Sequence, residues 1–208
     1  MSKVLLKTSG RTGSHLLLDK YEKEGHRVYF TATHDTKSLY EYDLTESLIP
    51  FNFDFIVQCH LMQLPKDTSQ WDLIFNVRGD MISQICSSII AHHTDVWHGV
   101  AEIKEKIVVD KHTIKQQVIK HVSFNTYMKY VCEYLPWKSI QRISTEEILQ
   151  EDWTHLEYKK SIKHEDAIDD YENVRKYVAN VQARFYDLGV AYGKTEFDKR
   201  YGDKYDIQ

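Results

Sequence analysis

The sequence lacks the excess of basic residues that nucleic-acid-binding proteins usually carry. It contains 27 Lys and Arg residues against 31 Asp and Glu residues, which gives a formal net charge of -4 at pH 7. We therefore expect no nucleic-acid partner. Any site for an anion must be local, built from a few side chains and backbone amides.

Cysteine is also scarce, and no CxxC pair occurs. The three cysteines, Cys59, Cys86 and Cys132, are widely separated. This spacing argues against a zinc ribbon or a redox motif. The cysteines are expected to be small, buried, apolar residues in a reducing compartment.

Long hydrophobic runs are missing as well. No apolar stretch approaches the roughly 18 residues that a membrane-spanning helix needs. The first seven residues contain only a three-residue apolar run, Val4-Leu5-Leu6, which is too short for the core of a signal peptide. The sequence therefore predicts no membrane span and a cytoplasmic location.

The sequence contains one cluster of potential metal ligands. His92, His93, Asp95 and His98 lie close together in the sequence. On a helix, however, His92 and His93 point about 100° apart, and no HExxH spacing is present. A solvated helix end, where histidine favours the C-terminal dipole, is the simpler interpretation, and we predict no metal.

The composition itself is ordinary for a globular protein. The chain has 208 residues, of which 42% are hydrophobic and 28% charged. That length favours one domain over residues 1–208 with a substantial core. The charged tail over residues 192–208 has no clear pattern, and the sequence leaves open whether it is mobile or folds over the body.

Short apolar runs alternate with segments of helical period. The runs indicate strands at Val4–Leu6, Val28–Thr31, Phe53–Cys59, Trp71–Val77 and Ser139–Ile143. Helices are predicted from Ser14 as N-cap to Gly25, from Asp80 to about His93, over most of Glu102–Tyr134, and over Asp166–Leu188. The alternation predicts an α/β fold, a three-layer sandwich with a central parallel sheet.

The first strand leads into a loop suited to an anion. Ser9-Gly10-Arg11-Thr12-Gly13-Ser14-His15 follows the strand and opens the first helix. The first amides of a helix have no internal partner and carry partial positive charge, while glycine allows close backbone approach. Such a P-loop-like strand, loop and helix can hold a phosphate. The nucleotide-triphosphatase signature GxxxxGK[ST] is absent, because Gly13 is followed by Ser14 and not by lysine.

Three segments resemble the sulfotransferases that use 3′-phosphoadenosine 5′-phosphosulfate, PAPS. Arg11-Thr12-Gly13-Ser14-His15-Leu16-Leu17 is similar to their loop for the 5′-phosphosulfate. The segment Gln58–Pro65 resembles the strand end with His-Leu-Pro, although Met62 and Gln58 depart from the common pattern. The segment Leu73–Asp80 is similar to a strand ending in arginine, and the helix after it resembles that of the bacterial trehalose-sulfating branch. The late Arg-Lys-Gly segment of many members is absent.

The resemblance implies a role for each matching residue. It implies that Arg11, Thr12, Gly13, Ser14 and His15 bind the 5′-phosphosulfate, with Arg11 also stabilising charge in the reaction. His60 would be the general base, with His15, Glu41 and Glu46 as substitutes. Arg78 and Ser87 would bind the 3′-phosphate, with Ser83 and Ser88 as rivals to Ser87. No metal is needed in this scheme.

The implied reaction moves a sulfuryl group from PAPS to a hydroxyl or amine on a small molecule or glycan. Two alternatives remain at the level of sequence. One is a nucleotide-dependent phosphotransferase, for which the loop lysine and a metal-binding aspartate are not evident. The other is a non-catalytic nucleotide-binding protein. The oligomeric state and the acceptor are not predicted.

Overall fold

The fold is described from a computed structural model of the chain, over residues 2–10, 12–30, 54–59, 64–65, 67–96, 103–150 and 162–202. The strands are β1 (Lys3–Thr8), β2 (Arg27–Phe30), β3 (Phe55–Cys59), β4 (Asp72–Val77) and β5 (Ser139–Ser144). The helices are α1 (Ser14–Lys23), α2 (Met81–Thr94), α3 (Lys111–Tyr134), α4 (Thr145–Ile148), α5 (His164–Ala167) and α6 (Tyr171–Tyr201).

The five strands form one parallel sheet in the order β2-β3-β1-β4-β5. The predicted α/β class with a parallel sheet is therefore confirmed. Strand β1 is central, which agrees with its nearly complete burial. At the edge, β5 exposes its first four residues to solvent.

Successive side chains of β1 point to opposite faces of the sheet, so the core around the strand has two layers. Val4 and Leu6 pack against α1 and α4 on one face of the sheet. Leu5 lies on the opposite face, in a cluster to which α3 and the C-terminal half of α6 contribute Phe124 and Phe197. Helices thus cover both faces, as strands buried on both sides require.

A third apolar cluster joins the helices to one another. It includes Ile85 of α2, Val118 of α3 and Val178 of α6. Helices α3 and α6 pack closely because Gly193 has no side chain, and a Cβ there would lie 2.7 Å from Thr126 Cβ. Helix α6 continues through Tyr201, and its Phe197 packs in the same cluster as Tyr127 of α3, while residues 203–208 of the predicted tail lie outside the described residues.

Several helix boundaries agree with the sequence prediction. Asp80 caps α2 by accepting a hydrogen bond from the Ser83 amide, and α3 ends at Tyr134, before Pro136. Gly25 follows the end of α1 with a φ of 93°, a left-handed conformation that favours glycine.

Other boundaries differ from the prediction. Gly13, and not Ser14, is the N-cap of α1. Helix α3, Lys111–Tyr134, covers most of the segment predicted to be largely helical. The helix predicted over Asp166–Leu188 is interrupted, because Ile168 pairs with Ile107 as an isolated bridge. The main helix α6 therefore starts at Tyr171.

Candidate functional site

Three neighbouring strands end at the same level of the sheet. In the parallel register, Lys7 of β1 is paired with Cys59 of β3, and Thr8 of β1 is paired with Asn76 of β4. Residue 60, the loop over residues 9–13 and residue 78 therefore follow three adjacent strands. The carboxyl edge of an open parallel sheet is where ligands bind in such folds. The sequence prediction that these segments share one edge agrees with this strand order.

The loop after β1 owes its shape to two glycines. Gly10 has a φ of 85° and Gly13 a φ of 70°, values at which other residues are strained. The amide of Gly10 donates to Thr8 Oγ1 at 3.2 Å, and Thr8 Oγ1 also contacts the hydroxyl of the buried Thr12. These hydroxyls stabilise the turn from within, so Thr12 is a structural part of the loop.

The N-terminus of α1 differs from those of the helices that follow β4 and β5. Among the described residues, no side chain caps α1, whose N-cap is Gly13. By contrast, Asp80 caps α2, and Ser144 forms a capping box with Glu147 at the start of α4. The N-cap residue of α1 therefore offers no side-chain oxygen of its own, and the partial positive charge at the start of the helix can act on an external anion.

Ser14 lies in the first turn of α1 and is nearly buried. Its Oγ accepts a hydrogen bond of 3.0 Å from Gln58 Nε2, which comes from β3. A hydroxyl that accepts through its oxygen still has its own hydrogen to donate. Gln58 therefore fixes Ser14 in a position from which it can donate to an anion. His15, in the same turn, is half-buried.

Two residues that sequence reasoning did not assign to the site hold the loop from the α2 and α4 sides. Gln84 of α2 donates from Nε2 to Ser9 Oγ and to the Gly10 carbonyl, both at 2.7 Å. Thr145, at the start of α4, donates from Oγ1 to the Thr12 carbonyl at 2.8 Å. Thr145 directly follows β5, and the rule that strand ends meet at one edge could have identified it.

Arg78 follows β4 and lies close to two carboxylates. Glu146 accepts from the amides of Gly79 and Asp80 at 3.1 and 3.3 Å. Burial alone would raise the pKa of Glu146, but these amides and the charge of Arg78 hold it below its ordinary value. The same balance applies to Asp80, where burial opposes hydrogen bonds from Ser83 and the charge of Arg78, and its pKa is also lowered. An anion at this position would have to interact with the Arg78 side chain, because the two amides are already engaged.

The serines of α2 occupy different environments. Ser83 donates to the Asp80 carboxylate at 2.6 Å and belongs to the helix cap. Ser87 is nearly buried, with its Oγ 2.9 Å from His164 Nε2 of α5, and Ser88 is buried. Ser87 therefore already has one polar partner within the fold.

Arg11 and His60, the two predicted catalytic residues, lie outside the described residues, as do Glu41, Glu46 and His98. Among the described residues, no group of three or more His, Cys, Asp or Glu side chains is arranged to hold a metal. Within the same residues, no helix is long and apolar enough to cross a membrane. Burial raises the pKa of the Cys86 and Cys132 thiols to about 11 each.

Two buried polar groups were not anticipated. Lys7, in the central strand, is fully buried. His121 of α3 is 2% exposed, and neither of its ring nitrogens has a hydrogen-bond partner in the described part of the chain. Burial, with a smaller contribution from the charge of Lys120, lowers the pKa of His121 to about 4.

Comparison with known proteins does not relate this site to one of known function. No protein-family model, no curated protein and no solved structure matches the chain. The function is therefore inferred from the residues of the chain alone.

Proposed function

We propose that the chain is a sulfotransferase that uses PAPS as donor and binds its 5′-phosphosulfate at the loop between β1 and α1. The observation that carries this proposal is the N-terminus of α1, which follows the central strand and which no side chain caps among the described residues. Gly13 permits close approach of the backbone, and Ser14 offers an oriented hydroxyl. Together these groups favour a bound phosphate or phosphosulfate.

The residues proposed as general base and as 3′-phosphate ligand follow the two strands that neighbour β1. His60 follows β3, on one side of β1, and Arg78 follows β4, on the other side. In the proposed complex, Arg78 and Ser87 bind the 3′-phosphate of the donor. The engagement of Ser87 with His164 means that this serine would exchange or share a partner on binding.

In the proposed reaction, the acceptor hydroxyl or amine attacks the sulfur of PAPS. A new O–S or N–S bond forms while the bond between sulfur and the 5′-phosphate oxygen breaks. His60 takes the proton of the acceptor, and adenosine 3′,5′-bisphosphate leaves with the negative charge. Arg11, with the amides of Gly13 and Ser14, stabilises the charge that grows on the leaving oxygen.

The test is a pair of measurements on the purified chain. Calorimetric titration should give tighter binding of adenosine 3′,5′-bisphosphate than of AMP or ATP, because a missing phosphate leaves donors unpaired. Labelled PAPS should then transfer its sulfuryl group to a member of a panel of hydroxyl and amine acceptors. Equal affinity for AMP and the bisphosphate would contradict the 3′-phosphate assignment. Tight bisphosphate binding without transfer to any acceptor would favour a non-catalytic binding protein, and preference for ATP with metal would favour a phosphotransferase.

A further inference from the structure

The loop between β1 and α1 is in contact with a residue that lies far along the chain. Thr145 is 5% exposed, and its Oγ1 lies 2.8 Å from the Thr12 carbonyl and 3.1 Å from the Val77 carbonyl. A hydroxyl has only one hydrogen to donate, so the two carbonyls share it. Thr145 thereby ties the loop to the end of β4.

This contact also determines the direction of a neighbouring amide. The carbonyl of Thr12 and the N–H of Gly13 belong to the same peptide plane, and in a trans peptide they point in opposite directions. Because Thr145 holds the carbonyl towards α4, the N–H of Gly13 points away from α4. Gly13 is the N-cap of α1, the helix whose first amides have no side-chain cap in the described residues.

The methyl group of Thr145 contributes as well. A Cβ on Gly13 would lie 3.7 Å from Thr145 Cγ2, so the methyl group lies on the side of Gly13 where a side chain would project. Thr145 thus holds the peptide between Thr12 and Gly13 by a hydrogen bond, and its methyl group faces the open side of the glycine. Such support from outside a site is what keeps donor groups in a productive orientation before the ligand arrives.

We infer that Thr145 is a positioning residue, which orients the Gly13 amide towards the phosphate group of a bound nucleotide. This inference rests on the proposed function, since it concerns the same loop. Thr145 does not itself touch the ligand. Its hydroxyl acts through the Thr12 carbonyl, and its effect should appear in ligand affinity more than in the stability of the fold.

The test compares Thr145→Val, which keeps the shape but removes the hydroxyl, with Thr145→Ser, which keeps the hydroxyl. Thr68→Val is the matched control, because Thr68 is also buried and its Oγ1 donates to the Pro136 carbonyl at 2.8 Å, beside the start of β4. Calorimetry with adenosine 3′,5′-bisphosphate measures affinity, and thermal denaturation measures stability. We expect Thr145→Val to bind about fivefold to tenfold more weakly, as for the loss of one orienting hydrogen bond.

The other variants distinguish the loss of the Thr145 hydroxyl from a general loss of stability. Thr145→Ser should bind within about twofold of the wild type, and Thr68→Val should lose similar stability to Thr145→Val without losing affinity. If Thr145→Val is too unstable, Thr145→Ala removes the same hydroxyl and leaves room beside Gly13. Equal affinity in the wild type and the Thr145 variants, or an equal loss in Thr68→Val, overturns the inference alone. If the wild type does not bind the bisphosphate, the proposed function and this inference fail together.

Discussion

The side-chain amide of Gln84 lies across the start of the loop after β1, with its Nε2 atom 2.7 Å from the carbonyl oxygen of Gly10. Gln84 is 1% exposed and belongs to α2, the helix that follows the neighbouring strand. One buried glutamine thus joins the two strand ends on which the proposed donor site depends.

Gln84→Glu should weaken the site, because a carboxylate cannot donate to the Gly10 carbonyl and is repelled by it. We expect about a tenfold loss of affinity for adenosine 3′,5′-bisphosphate and a loss of about 1–3 kcal/mol in the free energy of unfolding. Calorimetry and denaturant titration measure the two effects. Gln116→Glu, at an exposed position of α3, is the control. Full affinity in Gln84→Glu would show that the loop does not need this contact.

Arg11→Ala should reduce bisphosphate affinity and turnover together, since the proposed contact exists in both the ground state and the transition state. Lys23→Ala is the matched control, because Lys23 is an exposed cation in the last turn of α1. Lys7 is unsuitable for this purpose, because it is fully buried and its removal would disturb the core. Identical titrations for the two variants would mean that the donor phosphate does not bind at this loop.

His60→Ala should lose roughly 10²–10⁴ in turnover and keep its affinity for the bisphosphate, as expected for a general base. Wild-type turnover should fall in acid as the imidazole gains its proton. The measurement is sulfuryl transfer from labelled PAPS. His93→Ala, exposed at the end of α2, should retain full activity. An active His60→Ala variant would assign the base to His15, Glu41 or Glu46.

His121 should make the protein less stable in mild acid. Its pKa is about 4 in the folded state, against an ordinary value of 6.5, so between these values the unfolded chain binds a proton that the folded chain does not. The stability contributed by neutral His121 is therefore present above about pH 6.5 and is lost as the pH falls towards 4. His121→Leu should gain about 2 kcal/mol relative to the wild type between pH 7.5 and pH 5.

Denaturant titrations at the two pH values measure this difference. His112→Leu, at an exposed position in the first turn of the same helix, controls for the replacement of a histidine by leucine. A pH dependence that is the same in His121→Leu and in the wild type would show that His121 is not the source.

Gly193→Ala should destabilise the contact between α3 and α6. In an exposed helix, alanine is about 1 kcal/mol more favourable than glycine. A loss of stability in Gly193→Ala would therefore have to come from the close contact between the helices. The new Cβ would lie 2.7 Å from Thr126 Cβ and 3.0 Å from Tyr127 N, and overpacking of this kind costs about 1–3 kcal/mol. Denaturant titration gives the sign. The reverse change Ala191→Gly, on the exposed side of α6, measures only the effect of helix propensity on the free energy of unfolding.

The strands and the start of α2 could be predicted from the sequence because their signals are local. The apolar run of β4 and the Asp80 cap are contained within a few neighbouring residues. The helix predicted over Asp166–Leu188 is confirmed from Tyr171 onward, and only its start differs, because a distant pairing of Ile168 with Ile107 interrupts the helical pattern.

The candidate site, like the fold, was predictable in part from the sequence. The glycines of the loop and the strand ends can be recognised in the sequence, and the parallel sheet brings them to one edge. Thr145 was missed although its position directly after β5 indicates the same edge. Gln58 and Gln84 were not assigned because their roles depend on strand order and on contacts across the fold. A propensity or a period contains no information about such contacts.

The hydrogen bonds that hold the loop after β1 also constrain when it can form during synthesis. The partners Gln58, Gln84 and Thr145 follow their loop residues by 44, 75 and 133 positions along the chain. Contacts of such long range form late, after the intervening chain has been made and has closed. The loop near the N-terminus therefore lacks its last stabilising hydrogen bond until the fifth strand has formed. The ability to bind ligand is then acquired late in folding.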